Sequence, residues 1–212
     1  VTLFPSCKVI ANFRAMTYLE HLSKDKKLAA ILTGDPFKLK QQKLVYLHLC
    51  GSIMSQQLST KVAAVIWKRF LGLFEDESPT PEQILAIPSE TLRGIGLSNA
   101  KVSYVQNVAR FALEHGMEWK QLKKMSDEEV ISHLIQIKGV GRWTIEMLLM
   151  FALGREDVFA VDDLGIQTAM KKLYKLDATD KKAFREKMVK ISGKWSPYRT
   201  YACLHLWHWK DS

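Results

Sequence analysis

Apolar residues recur every three to four positions along most of this chain, and the strict alternation of a half-buried strand is scarce. The first dozen residues carry no clear period. The pattern then predicts a helix over residues 18–32, with Leu19, Leu22, Leu28, Ile31 and Leu32 on one side and Gly34-Asp35-Pro36 as its break. A long apolar helix is predicted over 40–54, with Leu44, Leu47, His48 and Ile53 inward. Another covers 59–73, with Val62, Val65, Ile66 and Phe70 at helical spacing. Thr80-Pro81-Glu82 reads as a helix start, because proline's fixed φ and missing N–H suit a first turn. Short helices follow over 82–86 and 89–93, then longer ones over 99–114, 128–136, 142–153, 163–173, 180–191 and 197–209. The fold class this predicts is all-α.

The most informative stretch is 134–168. There Ile137-Lys138-Gly139-Val140-Gly141 joins two amphipathic helical patterns, the first opened by Ser126-Asp127-Glu128-Glu129, close to a capping box. Glycines one residue apart let the backbone turn sharply and expose its amides at the start of the second helix. Unpaired N–H groups and the helix dipole attract an anion there, and Lys138 and Arg142 add positive charge, so a phosphate suits the turn. Gly94-Ile95-Gly96 repeats the theme before the helix at 99–114, with Lys101 beside it; glycines that only end helices are the competing explanation. Further on, Asp162 and Asp163 stand at the apparent start of another helix. Both can be helix caps, worth typically ~1 kcal/mol each, but two adjacent caps are redundant.

Composition narrows the partner. Over 212 residues, 47% of them hydrophobic, the chain can bury a substantial core as one unit or two small lobes. Lys and Arg outnumber Asp and Glu by 31 to 22, a net charge of +9, which favours an acidic polymer through counterion release. Cys7, Cys50 and Cys203 lie far apart, with no zinc-type pair and no disulfide framework, so a reducing compartment is expected. No run approaches the ~18 apolar residues of a membrane span, no signal peptide is visible, and no membrane role is expected. The chain begins at Val1, so a short preceding tail is expected. His205 and His208 lack a third ligand and are read as packing or surface residues.

The hairpin, Gly141-Arg142-Trp143-Thr144 and the paired aspartates, in this order, resemble the helix-hairpin-helix DNA glycosylase superfamily, in its 3-methyladenine (alkylpurine) branch with bacterial and fungal members. Ser55-Gln56-Gln57-Leu58 and the segment from Arg93 to Lys101 extend the likeness over roughly residues 44–209. The resemblance implies two helical lobes flanking a DNA-binding cleft. Residues 44–153 would form one lobe, with the Gln-Gln turn, a wedge loop and the hairpin; 1–43 plus 154–212 would form the other.

It also implies roles. Asp163 is the expected catalytic carboxylate, stabilising the positive sugar that develops as a flipped base departs. Trp143 stands where strand-cleaving relatives carry the Schiff-base lysine, so lyase chemistry is not expected. Trp143 and Tyr198 are expected to wall a base pocket together with Met147 and Leu164, positions that are aromatic in the bacterial pattern, and with Ser59, a histidine in fungal relatives. Gln57, with Gln56, would fill the gap left by the flipped nucleotide. The segment Leu97, Ser98 and Asn99 would form a minor-groove wedge, with Asn99 the nearest counterpart. Lys101, Lys138, Gly139, Val140, Gly141 and Arg142 would hold the DNA backbone. Carbonyls of Ile135, Ile137 and Val140 would hold a Na+ or K+ ion; no other cofactor is implied, and with three cysteines no four-cysteine iron–sulfur cluster. The expected function is excision of alkylated purines from double-stranded DNA by a monomer, in the nucleus if the source is eukaryotic. A protein of the same build that binds abasic or distorted DNA without excision is the alternative, and an adaptor module a third.

Overall fold

The computed structural model describes residues 18–33 and 37–212; the predictions for the first dozen residues, Cys7 and the Gly34–Pro36 break lie outside them. Helices, one 3-10 turn and connecting loops make up the described residues, with no strand among them, so the fold is all-α. No helix is long and apolar enough to cross a membrane. The chain divides into two compact units, one comprising Lys40–Gly154 and the other Val1–Leu39 with Arg155–Ser212.

The unit Lys40–Gly154 is built around α2 (Val45–Ser55), which buries Val45, Leu47, Leu49, Cys50, Ile53 and Met54. Three helices pack against it: α3 (Thr60–Leu71), α6 (Asn99–His115) and α9 (Arg142–Phe151). Short α4 (Pro81–Ala86) and α5 (Ser89–Gly94) lean on α6, and after the single turn α7 (Trp119–Leu122), α8 (Asp127–Leu134) pairs with α9. Side-chain caps start several of these elements. Thr80 and Ser126 each form a complete capping box, with Gln83 and Glu129, and Ser59 and Ser98 each cap a helix by accepting from the N–H three residues on.

The expected helix over 40–54 begins only at Val45. The backbone before it is spent elsewhere: the Gln42 N–H donates to the Ala152 carbonyl at the end of α9 (2.8 Å), and Leu44 is left exposed. In α3 Ile66 and Phe70 are buried, while Val62 and Val65, at the same helical spacing, are exposed. At the other end, α9 stops at Phe151 and Gly154 turns the chain with φ +66°.

In the second unit, α10 (Leu164–Tyr174) packs along α12 (Arg199–Asp211), with α11 (Lys181–Ser192) leading into the 3-10 turn Gly193–Trp195. The expected helix over 18–32 is interrupted: residues 18–22 are helical, and a separate turn, α1 (Lys26–Ala29), restarts after Asp25 caps it. Asp25 also accepts from the Tyr174 hydroxyl (2.7 Å) and the Trp195 indole N–H (3.1 Å). Burial opposes its charge, but these bonds and those from the Leu28 and Lys27 amides hold its carboxyl below the usual range. That carboxylate therefore ties three segments of the unit together. His205 is fully buried at 0% exposure, accepting from the Thr33 N–H, whereas His208 is exposed; the packing-or-surface reading of the pair holds.

Candidate functional site

The glycine turn between α8 and α9 is a built feature. Ile137 N–H donates to Leu134 and Val140 N–H to Ile137, closing two successive turns. Gly139 sits at φ +101°, a region that L side chains rarely adopt, and a Cβ there would fall inside the Tyr104 ring of α6. From the same helix, Asn107 Nδ2 donates to the Lys138 carbonyl (3.1 Å). One helix thus fixes the turn by ring contact and by hydrogen bond. Neither feature is visible locally in the sequence, because Asn107 lies 31 positions from its partner. Gly141 caps α9 in extended conformation with open space around its Cβ position. The Gly139 and Gly141 N–H groups meet no acceptor among the described residues, as an anion-binding turn requires.

The basic residues around this turn divide. Lys138 is exposed. Arg142, expected at a phosphate, instead spans the two hairpin helices, reaching Glu128 (2.6 Å) and the buried Glu146 (3.1 Å). Its guanidinium holds the Glu128 carboxyl below its ordinary range. Lys101, likewise expected at a phosphate, donates from Nζ to the Met54 carbonyl (2.9 Å) and the Gln56 carbonyl (2.7 Å). Two of its three N–H bonds are committed to the end of α2, and desolvation lowers its pKa.

What Lys101 holds is the Gln-Gln turn. Gln56 leaves the helix as its C-cap and its amide donates to the Thr144 hydroxyl of α9 (3.2 Å). Gln57 follows at φ +59°, uncommon for a residue with a side chain, and is exposed. Leu58, beside it, is also exposed. Of the expected wedge segment, Leu97 is 5% exposed and belongs to the core. Ser98 caps α6, and Asn99, its first residue, is exposed. The preceding Gly94-Ile95-Gly96 differs from the hairpin: Gly94 is helical and Ile95 buried, with only Gly96 at positive φ (+110°).

Among the pocket candidates, Trp143 is 41% exposed in the first turn of α9, and Met147, half-buried, follows four residues on along the same face. Ser59 is exposed and its hydroxyl caps α3 (3.4 Å to the Val62 N–H). In the other unit, Leu164 is 77% exposed at the start of α10, while Tyr198 packs its ring against His21, Tyr201 and Tyr18.

The two aspartates separate by environment. Asp162 is exposed and takes both ends of the Arg185 guanidinium (3.0 and 3.2 Å), a structural pairing. Asp163 is half-buried and caps α10, its Oδ1 accepting from the Ile166 N–H (2.8 Å). The same oxygen accepts from the indole N–H of Trp207 on α12 (2.8 Å). Trp207 carried no signal in the sequence, since 44 positions separate it from Asp163. Gly165 carried one that went unused: a glycine inside the first turn of a helix weakens it and asks for a reason.

The fold is all-α with a glycine hairpin that opens its backbone amides, and the chain belongs to the HhH-GPD superfamily of base excision DNA repair proteins, which matches residues 50–194. Among curated proteins it is 34% identical over 198 residues to DNA-3-methyladenine glycosylase 1 of Schizosaccharomyces pombe, covering 92% of this chain and 86% of that one. An alkylbase DNA glycosidase-like protein of the same yeast is 37% identical over 165 residues, 76% of each chain. Among solved structures, the S. pombe 3-methyladenine DNA glycosylase in complex with abasic DNA superposes with a TM-score of 0.81 at 32% identity, covering 92% of this chain and 97% of that one. A DNA-3-methyladenine glycosidase from Bacillus halodurans follows at 0.79 and 32%, covering 91% and 88%.

Proposed function

We propose that the protein is a monofunctional alkylpurine DNA glycosylase, hydrolysing the N-glycosidic bond of a damaged base flipped from duplex DNA. The observation that carries this is the Asp163 carboxylate, half-buried and anchored through Oδ1 by two converging N–H donors. As the C1′–N bond breaks, its electrons leave with the base and positive charge develops on the sugar. A fixed carboxylate stabilises that charge and orients the water that adds at C1′. A base alkylated on the ring is already cationic, so it departs neutral, and Trp143, 41% exposed, brings an indole suited to such a cation. An indole at position 143 supplies no amine for a Schiff base, so water is the nucleophile and the strand stays intact.

The hairpin amides of Gly139 and Gly141, with Lys138, take a phosphate, and Gln57, held by the Lys101-braced turn, enters the gap left by the extruded nucleotide. The carbonyls of Ile135 and Val140 receive no N–H among the described residues and that of Ile137 only one, so these three oxygens would hold a Na+ or K+ ion, which would add positive charge for a phosphate. The protein acts as a monomer on double-stranded DNA, in the nucleus in a eukaryotic cell.

The test is single-turnover release of 3-methyladenine from duplex. The wild-type protein is expected to release the base and leave an intact abasic strand, and Asp163→Asn to release it about 100-fold more slowly or worse. Tight binding of an abasic duplex with no release by the wild type would overturn the excision reading in favour of a binder.

A further inference from the structure

We propose that Trp207 is a positioning residue for excision: its indole N–H fixes the Asp163 carboxylate, and position 165 is a glycine so that the two can meet. The proposal rests on Asp163 being the carboxylate that faces the reacting sugar. Trp207 lies beyond residues 50–194, which match the family, but within the wider likeness over 44–209, and its role rests on its geometry.

The terminal torsion of an aspartate is broad, and a cap bond from its own helix leaves the plane of the carboxylate loosely set. Here the Ile166 N–H and the Trp207 Nε1–H converge on the same oxygen, each at 2.8 Å. The second donor comes from α12, a different helix whose residues 200–203, 205 and 206 are buried. A rigid indole anchored there cannot follow the carboxylate if it swings, so the second bond removes the freedom that the first leaves.

Gly165 supplies independent support. It is not among the glycines at positive φ, so backbone freedom is not what the position needs. A Cβ at 165 would lie 3.0 Å from Asp163 Oδ1 and 3.0 Å from both Cδ1 and Nε1 of Trp207, tighter than nine in ten real Cβ contacts, so one of the two would have to give way. A methyl there would wedge between the acceptor and its donor. The residue that weakens the start of α10 is therefore the one that leaves room for the Asp163–Trp207 bond.

Trp207→Phe keeps an aromatic ring while removing the N–H and part of the indole's volume. Single-turnover release of 3-methyladenine is expected to slow about tenfold, with affinity for a duplex carrying an abasic analogue unchanged within about twofold. Gly165→Ala should shift the rate in the same direction. In the wild type the Trp207 indole proton resonance should move upfield on Asp163→Asn and stay in place on Asp162→Asn, a signature that helix packing alone does not produce. A folded Trp207→Phe protein that excises at the wild-type rate, or an indole resonance indifferent to Asp163→Asn, overturns the proposal. A wild-type protein that excises nothing overturns the glycosylase reading itself, and this inference with it.

Discussion

Replacing Gly139 by alanine tests whether the hairpin turn is held by backbone conformation and by the ring beneath it. At φ +101° an alanine carries strain of order 1–3 kcal/mol. Its methyl would also occupy the Tyr104 ring, so that ring must move, and overpacking of this kind costs about 1–3 kcal/mol more. Taking about 3 kcal/mol as the combined cost, melting should fall by roughly 6–12 °C in a chain of this size. Gly141→Ala is the matched control. Its Cβ meets nothing, and the loss of a glycine cap costs about 0.5–1 kcal/mol, or roughly 1–4 °C. The assay is thermal unfolding followed by circular dichroism, beside titration of a labelled abasic duplex. Gly139→Ala should also lose at least tenfold in affinity, about 1.4 kcal/mol, because the amides no longer face one phosphate. If Gly139→Ala melts with the wild type and binds the duplex equally well, the turn is not specified by this glycine and the account of the hairpin is wrong.

Lys101 and Lys138 should part company in salt titrations. Lys138→Ala is expected to flatten the dependence of log Kd on log salt by roughly one unit, whereas Lys101→Met should leave that slope alone. The latter should instead destabilise by about 1–3 kcal/mol as the Met54 and Gln56 carbonyls lose their donor; a lowered slope in Lys101→Met would put its ammonium back on the phosphate. His205 should make stability fall in acid. Burial, with a smaller contribution from His208, depresses its pKa from 6.5 to about 4, so the unfolded chain binds the extra proton between those values. The stability it supports is complete above about pH 6.5 and is lost as pH falls towards 4, at most about 3 kcal/mol. Urea midpoints measured between about pH 4.5 and 7 should vary less steeply in His205→Gln, and identical slopes would refute the assignment.

Much of this architecture was readable before any coordinates, because it rests on local physics. Helical spacing, the proline helix start at Thr80-Pro81, the capping box at Ser126 and the glycine pair at 139 and 141 act within a turn or two of the chain. The absence of a lysine at position 143 is likewise written in the residue itself. The misplaced elements were those where a distant group outbid the local pattern. Residues 40–44 follow the end of α9 instead of extending α2, and Val62 and Val65 keep helical spacing yet face solvent, since periodicity gives a face but not what covers it.

The site divides along the same line. Its residue types follow from the sequence: an acid at 163, amides at a glycine turn, an indole at 143. Which polar groups are committed was decided only by tertiary structure. Lys101 holds the Met54 and Gln56 carbonyls, Arg142 pairs with Glu128 and Glu146, Leu97 lies in the core, and Asp162 pairs with Arg185. Asp163 acquired its holder from a helix 44 positions away. The physical reason is that a charge or a donor takes the best partner within about 3 Å, and which groups come that close depends on how helices distant in the chain pack.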